Sequence, residues 1–97
     1  MKLNKEEFLT TKLGEELKEC IAEWDEALEA RRRCIEGTEE YQRLDRVALW
    51  CFAKYEVFQM VLKEFYGTEY HFTRTDEYFG MVTEDESDWL FKVERKI

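Results

Sequence analysis

The sequence predicts an α+β fold: a long antiparallel helical hairpin, followed by a C-terminal three-stranded antiparallel β-meander packed on the second helix. Three observations carry this. Apolar residues keep steps of three and four along two long stretches before Tyr66. A short polar turn around Gly37 separates those stretches. After Gly67 the spacing changes to alternation in three short runs, with "TDE" and "EDESD" as turns between them.

The first helix is expected to start near Lys5. Asn4 is the candidate N-cap, Glu7 stands three residues on, and Leu3 and Phe8 occupy the hydrophobic-staple positions. Gly14 is a weak point that allows either a kink or a break near Thr10–Gly14, and the sequence does not choose between them. Beyond it Leu17, Ile21, Trp24, Leu28 and Ile35 hold one apolar face, while Glu15, Glu16, Glu19, Glu23, Glu26 and Glu29 take much of the rest.

Arg31, Arg32 and Arg33 form the one cationic cluster of an acidic chain. They could be a candidate anion site. The simpler reading places them in the last turn of the first helix, where the negative end of the dipole favours cations. Glu29 is within ion-pairing reach, and Gly37 is expected to end the helix in the left-handed conformation. Thr38, Glu39 and Glu40 then open the second helix.

In that second helix Tyr41, Leu44, Ala48, Cys51, Tyr55, Phe58, Leu62 and Phe65 form a heptad-like seam. Val47, Trp50, Val57 and Val61 add a second apolar stripe. A helix apolar on so many sides needs several partners. The first helix covers one stripe, and the meander covers part of the other. Trp50, Val57 and Val61 are therefore the candidate surface of a homodimer.

In the meander, Phe72, Trp89, Phe91 and Val93 are expected to face the helix. The middle run "YFGMVT" is ambiguous, because Tyr78 and Val82 compete with Phe79 and Met81. Gly80 marks a bulge or a close backbone approach. No proline and no low-complexity linker interrupts the chain, so residues 1–97 are expected to form a single domain, with the hairpin at about 5–66 and the meander at about 69–95.

The formal net charge is −8, which argues against direct nucleic-acid binding and against anionic membrane surfaces. It suits a basic protein partner. The opening residues carry glutamates where a secretory leader has its apolar core, and no apolar run is long enough to span a bilayer, so a cytoplasmic protein is expected. Cys20, Cys34 and Cys51 lack metal-ligand spacing and lie in helical patterns, so free thiols are expected, with no metal and no cofactor.

No catalytic motif is present. His71, the single histidine, is expected on a strand's outer face. Glu84, Asp85, Glu86 and Asp88 make the densest acidic run but lack the calcium-loop pattern. They read as a solvated hairpin turn, or as a candidate interaction surface. The closing third resembles small proteins carried by bacterial mobile elements, a likeness without residue-level assignments. The leading expectation is a small, acidic, non-enzymatic protein acting through protein–protein contact as a homodimer. The alternative is a phage or mobile-element inhibitor that mimics nucleic-acid charge. A third reading is a small ligand-binding domain or enzyme, for which His71, Arg74 or the acidic run would have to converge on a pocket.

Overall fold

The computed structural model of the protein describes residues 4–95. The chain runs α1 (Lys5–Thr10), α2 (Lys12–Arg32), α3 (Glu39–Tyr66), β1 (His71–Arg74), β2 (Tyr78–Val82) and β3 (Trp89–Glu94). Helices α2 and α3 form an antiparallel hairpin. The three strands make one antiparallel sheet in the order β1-β2-β3. This is the α+β meander architecture that the spacing predicts.

Asn4 caps α1, its side-chain oxygen accepting from the Glu6 amide at 2.8 Å. Leu3, its expected staple residue, lies outside the described residues. The break falls at Thr11, which ends one helix and begins the next. Its hydroxyl donates to the Phe8 carbonyl at 2.6 Å and accepts from the Gly14 amide at 3.1 Å. Gly14 permits the bend sterically: a Cβ there would lie 2.1 Å from the Phe8 carbonyl oxygen. Phe8 is thereby turned into the core, edge-on to Tyr66.

Helix α2 stops at Arg32, earlier than the expected end near Gly37. Ile35 consequently lies in the linker and is exposed, so it does not extend the apolar face. Gly37 does take a positive φ of 90°, inside the linker. Thr38 caps α3, accepting from the Tyr41 amide at 3.3 Å. The expected seam of α3 is buried at Leu44, Ala48, Cys51, Tyr55 and Leu62, then passes to Tyr66, leaving Phe65 40% exposed. A straight helix drifts by about 20° per heptad against a 3.5-residue repeat, so three heptads turn the seam by about 60°, more than half the roughly 100° between neighbouring residues. Gly67 ends α3 in the left-handed region, its amide donating to the Lys63 carbonyl at 2.7 Å.

The sheet lies on the C-terminal half of α3 and also reaches α2. Trp24 of α2 sits 4.4 Å from Phe72, ring to ring. The outer edge of β1 is met by α3: the Phe72 amide donates to the Tyr55 hydroxyl at 2.9 Å, and Gln59 donates to the Tyr70 carbonyl at 3.0 Å. Phe79 and Met81 join the core with Phe72 and Phe91, which settles the middle strand.

Trp89 departs from expectation. The register shifts between Met81 and Val82, so that Met81 opposes Phe91 and Val82 opposes Trp89. Leu90 is the extra residue and fills the core, while Trp89 turns to the other face against Tyr78. Val93, also expected inside, is 41% exposed at the sheet's end. Gly80 adjoins the shift, and a Cβ on it would meet the Phe91 carbonyl oxygen at 2.2 Å.

Candidate functional site

Helix α3 spans about 42 Å at 1.5 Å per residue, in a molecule measuring 48 × 27 × 23 Å. The sheet reaches only part of that length, and α2 covers one side. The opposite side of α3 faces solvent. Leu49 (62%), Trp50 (65%), Val57 (60%) and Met60 (73%) are largely exposed there, with Ala53 between them. At about 100° per residue these five share an arc roughly 100° wide. Of the three candidate residues, Trp50 and Val57 lie on this exposed arc, whereas Val61 is half-buried at its edge. Leu49 and Met60 belong to the surface and were not anticipated. Their signal was present, since both fall beside Ala53 on the wheel, but α2 and the sheet had to be placed before the free arc could be told from the covered ones.

The acidic turn divides into two pairs. Asp85 is structural: its Oδ1 accepts from the Thr83 hydroxyl at 2.7 Å, the Ser87 hydroxyl at 2.7 Å and the Ser87 amide at 3.1 Å. Those hydrogen bonds, from Ser87 first and then Thr83, pull its carboxyl down to about 2. Asp88 pairs with Lys5 and accepts from the Tyr70 hydroxyl at 3.0 Å, so it ties α1 to the turn. Glu84 and Glu86 are exposed and make no ion pair among the described residues. The turn is therefore a built loop with two free carboxylates.

The arginine run is largely engaged. Arg31 pairs with Asp45 at 2.6 Å, across the hairpin, and lies over the Tyr41 ring. Arg32 pairs with Glu29 at 3.2 Å. Arg33 is the C-cap of α2 and is exposed.

Another charged cluster was missed by the sequence reading. Asp25 is 5% exposed on α2 and receives Arg74 at 2.8 Å and both terminal nitrogens of Arg95 at 2.6 Å. Arg74 also pairs with Glu29. Burial pushes the Asp25 carboxyl up, but the hydrogen bonds from Arg95 and Arg74 outweigh it and hold the group below the usual aspartate range. The cluster clamps the sheet onto α2. Its signal was an acid on the apolar arc of α2, four residues after Ile21 and three before Leu28.

His71 and the acidic turn meet at one open groove, but Arg74 does not join them. His71 shares an open groove with Glu69, Glu84 and Asp88, while Arg74 lines a separate groove beside Arg31 and Arg32. Cys20 and Cys51 are buried, with burial raising both thiols, Cys51 to about 11. Cys34 is half-buried and donates to the Ala30 carbonyl at 3.3 Å. Among the described residues no group of His, Cys, Asp or Glu is arranged to hold a metal ion, and no helix is long and apolar enough to cross a membrane. No protein-family model matches the chain, and no curated protein or solved structure matches it.

Proposed function

We propose that this is a small, acidic, non-enzymatic protein that acts through protein–protein contact, as a homodimer built on the outer face of α3. The observation that supports this is the contiguous exposure of Leu49, Trp50, Val57 and Met60 on one helix face. Full burial of such side chains is worth about 1.5–3 kcal/mol each, and a twofold copy doubles the contribution from one surface. That sum is comparable to the cost of association, which is roughly 4–15 kcal/mol, so a reversible dimer is expected. Sedimentation over a wide concentration range tests it. The unmodified chain should reach twice the chain mass, and Val57→Glu should leave a folded monomer, because Val57 touches solvent rather than the core. A chain monomeric at every concentration overturns the dimer.

One further observation favours the alternative, an inhibitor of phage or mobile-element type that mimics nucleic-acid charge. Glu15, Glu16, Glu19, Glu23 and Glu26 are all exposed and share the outward arc of α2. They form a carboxylate row on a face distinct from the apolar one. Proteins captured by this row at low salt should be displaced by duplex DNA and by raised salt. Capture indifferent to both eliminates this reading.

A further inference from the structure

We infer that two copies pair with their α3 helices antiparallel, with the twofold axis passing between Ala53 and Val57, so that Arg46 of each copy meets Glu64 of the other. The inference rests on the dimer proposed above and specifies its partner, a second copy in one orientation and register.

The apolar arc of α3 is bounded by charges of opposite sign. Arg46 precedes it, Glu64 follows it, and both project from about the middle of the arc, between the directions of Ala53 and Val57. Both are exposed, and neither makes an ion pair among the described residues. Their neighbours are satisfied within the chain: Arg43 pairs with Glu40, and Lys63 with Glu69. Lys54 and Glu56 also make no ion pair among the described residues but project to the two rims of the arc, so Arg46 and Glu64 are the unpaired charges on the seam itself, about 27 Å apart along the axis.

An antiparallel pair about this axis matches every seam position. Ala53 packs on Val57 of the other copy, Trp50 approaches Val61, and Leu49 approaches Met60. Ala53, the smallest of these side chains, sits next to the axis, where two helices come closest. Arg46 and Glu64 then close both ends of the interface. A parallel pair would instead set Arg46 on Arg46 and Glu64 on Glu64 within the seam. It would offer Lys54 against Glu56 at the rim, but exposed rim pairs contribute little. Like charges facing each other in the seam are the larger effect. In the antiparallel pair Lys54 and Glu56 each approach their own counterparts at opposite rims, where Glu56 is exposed and the Lys54 ammonium lies over the Trp50 ring at 5.8 Å.

Charge reversal tests the orientation. Sedimentation equilibrium is measured for the unmodified chain, Arg46→Glu, Glu64→Arg and the double variant, with circular dichroism to confirm folding of each. The expected result is that each single variant weakens the dimer by roughly tenfold or more, and that the double variant restores it. In a parallel pair the single variants would leave the dimer unchanged, because like charges face each other before and after the change. A dimer indifferent to both single changes, or a double variant as weak as the singles, overturns the antiparallel assignment and leaves the dimer standing. An unmodified chain that never dimerises removes the dimer and this orientation together.

Discussion

Asp25 shows how much one buried carboxylate can organise. It lies on the apolar face of α2 and holds two guanidiniums, Arg74 from β1 and Arg95 beyond β3. Arg95 in turn donates to the Thr75 carbonyl at 2.7 Å, so the same network fixes the first hairpin turn. Removing one partner of a buried pair leaves the other charge desolvated without compensation, at about 3–5 kcal/mol. Here the arginines keep some contact with water, at 27% and 18% side-chain exposure, which moves the expectation to the bottom of that range or just below it. Asp25→Ala should therefore destabilise the fold by about 2–3 kcal/mol in urea unfolding. A loss under about 0.5 kcal/mol, the size of an ordinary surface change, would show that the clamp is dispensable.

At the scale of the element, the junction of α1 and α2 sets two effects of glycine against each other. In a free helix, Gly14→Ala would gain about 1 kcal/mol from helix propensity. In this fold the new Cβ would lie 2.1 Å from a backbone oxygen of α1, and relieving such an overlap costs about 1–3 kcal/mol. The clash should win. Gly14→Ala is expected to lower the melting temperature and to loosen Phe8, seen as faster hydrogen exchange in α1; a higher melting temperature would refute this. The same junction shows what was legible in the sequence. The weak point near Thr10–Gly14, the hairpin, the seam of α3 and the three strands all follow from local spacing and capping, whereas the choice of a break at Thr11 over a kink does not. The lost details depend on contacts distant in sequence. Trp89 and Leu90 exchange faces because of one register shift against β2, which alternation within β3 cannot reveal. Leu49 and Met60 join Trp50 and Val57 at the surface because of where α2 and the sheet fall. Asp85 holds its own turn together although its neighbours Glu84 and Glu86 do not, a distinction set by the positions of Thr83 and Ser87 rather than by charge.

Across the whole molecule, the acidic balance and the engaged carboxylates make opposing demands as pH falls. Asp25, Asp85 and Asp88 are all held below the ordinary aspartate value of 3.8, Asp85 at about 2. For Asp88 the Lys5 ammonium is the main cause, partly offset by burial. A carboxylate whose pKa is lower in the folded state stabilises the fold above its unfolded value, and that contribution is lost as pH falls through the folded value. The three should therefore leave stability nearly flat from neutral pH to about 4 and erode it from there to about 2. The exposed glutamates act the other way. The chain carries a net charge of −8, and acidification relieves the mutual repulsion of its surface carboxylates. That relief is spread over a solvated surface and screened by salt, whereas the aspartates lose specific hydrogen bonds, so the net slope below pH 4 should be downward. Urea midpoints measured at pH 7, 4, 3 and 2 would show it. Asp85→Asn, which keeps the acceptor geometry but removes the charge, should be less stable at neutral pH and should flatten the acid limb. A midpoint that rises between pH 4 and pH 2 would mean that repulsion, rather than the paired aspartates, governs the acid behaviour of this fold.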